Sequence, residues 1–189
     1  MKSTLTFLIA FFAMTTVVLA DDDLATLKSG KPVVKDISTS SKSETQLTFL
    51  VKAKPEKIWD VLVDYEKYPE FMPIEKVQIR SKAKDTEVVF IQPEAPPLID
   101  ISYEIRRHYD KDDWKITFEK VSGKIKSING SWKLESYDSH YTKVVYITNV
   151  DIGIPVPGFV KDYFSKGSLY RMAEAVKKRV ESRGKWKKK

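Results

Sequence analysis

The sequence predicts an α+β domain in which a curved antiparallel β-sheet wraps around a long C-terminal helix. After Pro73, six stretches show the period-two alternation of half-buried strands; in one of them, Trp114, Ile116 and Phe118 alternate with polar residues. Between residues 169 and 180, apolar residues recur every three or four positions, which is typical of an amphipathic helix. Strands joined by short turns and followed by one long helix favour an antiparallel meander packed on that helix.

Residues 1–20 have the pattern of a signal peptide. Lys2 precedes the apolar run LTFLIAFFA, and Val18 and Ala20 stand at the −3 and −1 positions of a cleavage site. The apolar run is shorter than the roughly 20 residues that span a bilayer, which argues against an uncleaved anchor. The chain has no cysteine, so disulfides and cysteine-based metal sites are excluded. Because disulfide-free export suits a bacterial periplasm, we expect an exported, periplasmic or secreted protein cleaved near Ala20.

The remainder of the chain divides into a lead-in, one domain and a tail. Residues 21–43 are a polar lead-in in which KPVVKDI could add a short edge strand. Residues 44–182 form the domain, and residues 183–189 form a basic tail. Roughly 170 residues remain after cleavage, which is enough for one domain with its own core.

The stretch KPEKIWDVLVDYEKYPEFMP, residues 54–73, predicts two short helices after the first strand, ETQLTFLVKA. Pro55 fits the first turn of a helix, Pro69 can begin a second one, and Pro73 can end it. Lys54 occupies the N-cap position, where it is a poor cap because it offers no side-chain oxygen to the free backbone N–H groups.

Turn signals separate the later strands. The DKDD run at 110–113 predicts a hairpin turn, and the Asn-Gly pair at 129–130 is typical of a tight hairpin. The stretch VVYI is apolar on both faces, so its inward set is ambiguous. We favour Val144, Tyr146 and Thr148 as the inward residues.

The positive charge of the chain is concentrated at its C-terminus. The formal net charge is +7, but residues 177–189 alone carry eight Lys or Arg and one Glu, so the rest is close to neutral. A basic tail on a neutral body argues against a nucleic-acid-binding face. The tail is interpreted either as a solvated helix end or as a contact for anionic membrane lipids with Trp186 as interfacial anchor.

Motifs of known catalytic or metal chemistry are missing from the sequence. His108 and His140 lie next to predicted turns, and the 110–113 run lacks the glycine and distal glutamate of a calcium loop. We therefore predict no metal site, no cofactor and no catalytic motif. A lone acid or tyrosine in a pocket needs no motif, and Tyr103 or Tyr146 could act in this way.

Three stretches resemble one protein superfamily in the order in which they occur. Residues 51–73 resemble the N-terminal signature of START-like, Bet v 1-type (SRPBCC) proteins, closest to the branch of polyketide cyclase/dehydrase and coenzyme Q-binding START domains. Residues 130–153 resemble the hairpin of that branch, and PVPGFV before the last helix resembles its closing element. The resemblance covers roughly residues 44–182. The first stretch matches the pattern W-x-x-L-x-D-Y-x-x-Y-P-x-F-x-P at Trp59, Leu62, Asp64, Tyr65, Tyr68, Pro69, Phe71 and Pro73.

The resemblance implies a helix-grip fold with a hydrophobic cavity between the sheet and the C-terminal helix. Its members bind lipids, quinones, sterols or polyketides, and most share no catalytic residues. Gly167, within the last predicted helix, suggests close approach or needed room at the cavity. From strand alternation and the resemblance, we expect a ligand to contact Phe71, Tyr103, Phe118, Trp132, Tyr146, Phe164 and Met172.

Three functions fit this pattern. The first is an exported, non-enzymatic binder or carrier of a hydrophobic small molecule such as a lipid or quinone. The second is a cyclase-, dehydrase- or hydrolase-type enzyme that uses the same cavity. The third is a peripheral membrane module that acts through the lysine tail. An ionisable group in the cavity floor would favour the enzyme over the carrier.

Overall fold

The alternating stretches of the sequence form the strands of one antiparallel sheet. The structure is a computed structural model and describes residues 21–40, 43–94, 101–153 and 166–188. It confirms the predicted α+β architecture, with a curved sheet packed on a C-terminal helix. The elements in chain order are α1 (Asp21–Lys28), β1 (Val33–Asp36), β2 (Thr45–Val51), α2 (Pro55–Val63), a 3₁₀ turn (Tyr65–Lys67), α3 (Tyr68–Phe71), β3 (Ile74–Lys82), β4 (Thr86–Pro93), β5 (Tyr103–Asp110), β6 (Lys115–Gly123), β7 (Ser127–Ser136), β8 (Thr142–Asp151) and α4 (Lys166–Glu181).

The sheet has eight strands in the order β1-β2-β8-β7-β6-β5-β4-β3, and all neighbours are antiparallel. The six strands from β3 to β8 form the predicted meander, and β2 joins its far end by pairing with β8. Register shifts at Ile79/Ser81 and at Glu104/Ile105 mark β-bulges, which bend strands and increase their twist. Bends of this kind curve the sheet toward the helices.

The N-terminal lead-in is more structured than its composition suggests. The edge strand expected in KPVVKDI is present as β1, whose Val33 lies opposite Thr48 of β2. Ahead of it, α1 was not predicted; it has three aspartates in its first turn and Lys28 in its last, which complements the helix dipole. Leu27 of α1 is fully buried, so this helix is anchored to the domain by one apolar side chain.

The segment between β2 and β3 forms the two predicted short helices. Pro55 occupies the first turn of α2, and Lys54 makes no side-chain capping hydrogen bond, as expected. Pro69 lies in the first turn of α3. Ile58 and Leu62 of α2 are fully buried, and burying a side chain of this size contributes about 1.5–3 kcal/mol.

Helix α4 presents its predicted stripe to the core. Ala173, Val176 and Val180 are buried, and the helix packs against β2 and α2. The suggestion that Gly167 is needed for close approach is wrong: a Cβ added there would find nothing closer than Arg171 Nη1, at 3.9 Å.

The predicted hairpin turn at Asn129–Gly130 is also wrong. Both residues lie inside β7, and the turn between β6 and β7 comes earlier, at Gly123–Lys126, where Gly123 has a φ of +111°. Gly130 serves a packing role instead, because the ring of Phe118 and the backbone of β8 lie directly over its Cα.

The basic tail folds back onto the domain through Trp186 and Lys188, which the interpretation as a solvated helix end does not predict, whereas Arg183, Lys185 and Lys187 are exposed. Trp186 is half-buried against the core, and its carbonyl accepts a hydrogen bond from Arg179 Nη1 at 2.8 Å. Lys188 Nζ donates to the carbonyls of Met72 at 2.9 Å and Ile74 at 3.0 Å, and it pairs with the carboxylate of Glu94.

Glu70 pairs with Lys187 of this tail and with Arg179 of α4, and Glu70→Gln is expected to remove a pH-dependent part of the stability. Burial acts to raise the pKa of Glu70, but hydrogen bonds from Arg179 and Lys187 outweigh it and hold the pKa below the ordinary value of 4.5. A carboxylate whose folded pKa is lowered stabilises the fold above its unfolded pKa, and this contribution is lost as pH falls through the folded pKa.

Urea denaturation of wild type and Glu70→Gln from pH 7 to pH 3 measures this contribution. The difference in free energy of unfolding should be constant near neutral pH and should fall towards zero below pH 4.5. Glu66→Gln, at an exposed position of the same segment, is the control. A wild-type advantage that stays unchanged across this range would contradict the role of ionised Glu70.

Candidate functional site

An apolar cavity of about 180 Å³ lies between the inner face of the sheet and helix α4. Its size is close to the roughly 150 Å³ of an engineered apolar cavity that stays dry and binds benzene. No charged side chain is found among its lining residues in the described part of the chain. The cavity therefore offers apolar surface with a small number of hydroxyl groups.

The sheet contributes one wall of the cavity through inward residues of four strands. Tyr103 of β5, Phe118 of β6, Trp132 of β7 and Tyr146 of β8 all line it. The Trp132 and Tyr146 rings are 4.4 Å apart between centroids, and Phe118 stacks on Tyr146 at 5.9 Å with an interplanar angle of 17°. These strands alternate in and out, so the same pattern that builds the core also places the aromatic wall.

The opposite wall comes from the helices. Leu169 and Met172 of α4 line the cavity, as do Tyr65, Tyr68 and Met72 of the segment between α2 and β3. The rings of Tyr65 and Tyr68 lie 3.9 Å apart between centroids. The Tyr68 hydroxyl donates to the carbonyl of Leu62 at 2.9 Å, which fixes this tyrosine to the end of α2.

Of the residues expected to contact a ligand, Tyr103, Phe118, Trp132, Tyr146 and Met172 line the cavity. Their contact with a ligand stays a prediction. Phe164 lies outside the described residues. The inward set favoured on β8 is confirmed, since Val144 and Thr148 are buried and Tyr146 and Thr148 face the cavity.

Phe71 does not line this cavity. It is buried beneath the guanidinium group of Arg179, 5.1 Å from its ring centroid, and it forms part of a second groove between α2 and the end of α4. That groove measures about 860 Å³ and is larger, but it is lined by many charged residues, Lys52, Glu56 and Asp60 among them. Ligand sites are mostly apolar, so the smaller apolar cavity is the better candidate.

The two tyrosines of the helical segment were missed as lining residues. Both match the family motif, but neither is among the residues expected to contact a ligand. Both are buried, at 8% and 1% exposure, and both reach the cavity. Helical periodicity indicated that Tyr65 faces inward, but only the packing of the segment shows which inward residues border empty space.

The phenols of the cavity remain protonated at neutral pH. Burial raises the pKa of Tyr103 well above its usual range, and the nearby phenols of Tyr65 and Tyr146 raise it further. Burial likewise raises the pKa of Tyr146, although a hydrogen bond with Thr148 acts in the opposite direction. The pKa of Tyr65 is also raised by burial, while the positive charge of Arg107 lowers it in part.

A buried ion pair supports the cavity from behind. Arg107 of β5 and Glu87 of β4 are each 1% exposed, with Arg107 Nη1 3.5 Å from Glu87 Oε2. Arg107 Nη2 donates to the carbonyl of Leu62 at 2.7 Å, and its guanidinium lies 3.8 Å from the Tyr65 ring centroid. Tyr109 completes the cluster by donating to Glu87 Oε2 at 2.7 Å. The sequence analysis missed this cluster.

The described residues contain no group of three His, Asp or Glu side chains that could hold a metal ion. In the same residues, no helix is both long enough and apolar enough to cross a membrane. His108 is an exposed residue of β5 whose Nδ1 is 3.2 Å from Thr86 Oγ1, and His140 is exposed in the turn between β7 and β8. Neither histidine lines the cavity.

The comparison with known families agrees with this architecture. The sequence profile described as "Polyketide cyclase / dehydrase and lipid transport" matches residues 51–177, which is more than half of the chain. The chain belongs to this family. The resemblance inferred from the sequence motifs is therefore confirmed. No curated relative matches the sequence at a significant level.

Solved structures share the fold of this family member. The STAR-related lipid transfer protein from Xanthomonas axonopodis is 18% identical, with a TM-score of 0.66 over 79% of this chain and 92% of that chain. A START superfamily protein from Mycobacterium smegmatis is 19% identical, with a TM-score of 0.61 over 81% of this chain and 99% of that chain. The Zhui aromatase/cyclase from Streptomyces sp. R1128 is 23% identical, with a TM-score of 0.52 over 74% and 87%. At these identities, the likeness establishes the helix-grip fold.

Proposed function

We propose that this protein binds and carries a hydrophobic small molecule, such as a lipid, in the cavity between the sheet and α4. The observation that carries the proposal is the apolar cavity itself, whose described lining includes no charged side chain. Burial of apolar ligand surface would supply the affinity at roughly 25 cal/mol per Å². The family description includes lipid transport, and one structural neighbour is a lipid transfer protein, which supports the same class of ligand.

An enzyme acting on a polyketide-like substrate is the second candidate, because another neighbour is an aromatase/cyclase. General acid–base catalysis works best when the catalytic pKa lies near the operating pH. The ionisable groups among the described lining residues are tyrosines, and burial moves the pKa values of Tyr103 and Tyr146 further from neutrality. This lining favours the carrier.

The decisive experiment is native mass spectrometry of the mature protein purified from its own host, followed by organic extraction of whatever co-purifies. We expect a bound hydrophobic compound at near-stoichiometric amount. A protein that carries nothing and binds no hydrophobic compound added afterwards would rule out the carrier function.

A cavity-filling variant locates the ligand. Met172→Trp places a larger side chain on the cavity wall, so it should lower ligand occupancy about tenfold or more while α4 still forms. Tyr170→Trp changes an exposed position of the same helix and should retain the ligand. Full occupancy in Met172→Trp would show that the ligand binds elsewhere.

We also propose that the protein acts after export, because residues 1–20 have the basic, apolar and small-residue regions of a signal peptide. The intact mass of the protein from the periplasmic or culture fraction should correspond to a chain beginning near Asp21. A full-length chain confined to the cytoplasm would contradict this.

A contact of the basic tail with anionic membrane is a separate proposal, supported by the charge of the tail. Lys188 is engaged with the domain, whereas Lys185 and Lys187 are exposed, although Lys187 Nζ also reaches Glu70 Oε2 at 3.4 Å, so these two are the residues to test. Lys185→Gln/Lys187→Gln should weaken sedimentation with vesicles that contain anionic lipid. Equal binding by wild type and variant would exclude this contact.

A further inference from the structure

In the described part of the cavity wall the polar side chains carry hydroxyls, and two of these hydroxyls have no hydrogen-bond partner. The hydroxyl of Tyr68 bonds the carbonyl of Leu62, and the hydroxyl of Tyr146 is hydrogen-bonded with Thr148. Within the described residues, by contrast, the hydroxyls of Tyr65 and Tyr103 make no hydrogen bond, and neither residue has an interaction beyond ring and electrostatic contacts.

These two hydroxyls border the empty space of the cavity. Among the described residues, every side-chain nitrogen or oxygen that is inaccessible to solvent has a hydrogen-bond partner. Because Tyr65 and Tyr103 line the cavity and lack partners, their oxygens are open to the cavity. A phenol in an apolar pocket without a partner carries a desolvation cost that an acceptor on a ligand would relieve.

Among the described residues, the buried charged groups next to the cavity already have partners. The buried cation closest to the lining is Arg107, which lies behind the Tyr65 ring and is held by the Leu62 carbonyl and by Glu87. A ligand carboxylate or ammonium in the cavity would therefore lose its hydration without meeting an opposite charge in the described lining, which is strongly unfavourable. The phenols remain neutral donors at pH 7.

We propose that the cavity selects an uncharged ligand whose buried end carries a carbonyl-type oxygen, as in a ketone or ester, that accepts hydrogen bonds from Tyr65 and Tyr103. This inference rests on the proposed carrier function and names its ligand class. The volume of about 180 Å³ suits a one- or two-ring aromatic head or a short alkyl segment, with any longer part of the ligand extending through the cavity mouth.

Three probes of the same ring system test the inference by equilibrium dialysis against the mature protein at pH 7. They are 2-acetonaphthone with a neutral carbonyl, 2-ethylnaphthalene without an acceptor, and 2-naphthoate with a negative charge. The ketone should bind about 4- to 100-fold more tightly than the hydrocarbon, because two hydrogen bonds contribute and each has a net effect of about 2- to 10-fold. The carboxylate should bind at least tenfold more weakly than the ketone.

Tyr65→Phe and Tyr103→Phe keep the rings and remove only the hydroxyls. Each variant should weaken ketone binding about 2- to 10-fold and leave the hydrocarbon unchanged. Tyr141→Phe, at an exposed position before β8, is the control and should bind all three probes as wild type does. Far-ultraviolet circular dichroism and the melting temperature show that each variant is folded.

The outcomes separate the two proposals. Equal binding of ketone and hydrocarbon, or tighter binding of the carboxylate, overturns the neutral-carbonyl inference and leaves the carrier function standing. Ketone binding that is unchanged in both variants also overturns it. Failure of all three probes to bind, together with the absence of any co-purified hydrophobic compound, overturns both.

Discussion

Arg107→Met is expected to lower the free energy of unfolding by about 3–5 kcal/mol, because it leaves a buried carboxylate without its partner. Glu87 is 1% exposed and pairs with Arg107 across strands β4 and β5. The variant also removes the donor to the Leu62 carbonyl at the end of α2, so one change affects both the sheet and the helix. Lys82 reaches Glu87 Oε1 at 3.6 Å from the surface and offsets part of the loss.

Arg106→Met is the matched control, since it changes the same residue type on the same strand. Arg106 pairs with Glu119 at 3.0 Å, but both side chains are at least half exposed, and such pairs contribute about 0–1 kcal/mol. Guanidinium chloride denaturation of both variants gives the comparison. If both variants lost the same small free energy of unfolding, the buried ion pair of Arg107 would contribute no more to stability than the exposed pair of Arg106.

The double variant Glu87→Leu/Arg107→Met tests the physical cause. Replacing both ions with apolar side chains removes the unpaired charge, so the double variant should be more stable than Arg107→Met alone. The hydroxyl of Tyr109 loses its acceptor in this background, which limits the recovery. A double variant that is less stable than either single variant would indicate that packing, and not charge, dominates the cluster.

Strand faces were predictable because their pattern is local. Alternation alone placed Tyr103, Phe118 and Trp132 on the inner face, where the structure has them. The same alternation, continued past Ile105, places Arg107 on the inner face as well. That pattern gives Arg107 no role by itself, because the partner Glu87 lies 20 residues away in sequence.

The remaining errors have long-range causes. Phe71 was expected at the cavity, yet the Arg179 side chain from α4 covers it, and a short helical motif does not reveal which residue covers another. The basic composition of the tail suggests either a solvated helix end or a contact for anionic lipids, and neither interpretation predicts that Lys188 donates to the backbone carbonyls of Met72 and Ile74. In both cases, the outcome depends on contacts between residues more than 100 positions apart.

Gly130→Ala is expected to destabilise the fold by about 2–4 kcal/mol through steric overlap in the middle of the sheet. A Cβ at this position would lie 2.1 Å from the Ile147 carbonyl oxygen and 2.6 Å from Cζ of Phe118. The carbonyl belongs to the neighbouring strand β8, and the Phe118 ring is stacked on Tyr146, so neither neighbour can move without disturbing the ladder or the cavity wall. Ligand binding should weaken along with stability, because Phe118 lines the cavity.

Gly167→Ala is the matched control for the same glycine-to-alanine change. At this position, the added Cβ meets open space in α4, and alanine is favoured over glycine in a helix by up to about 1 kcal/mol. Thermal and urea denaturation should therefore show opposite signs for the two variants, with Gly130→Ala destabilised and Gly167→Ala neutral or stabilised. A Gly130→Ala protein as stable as wild type would mean that strands β7 and β8 and the Phe118 ring can separate at little cost, and the aromatic wall of the cavity would then be adaptable and not fixed.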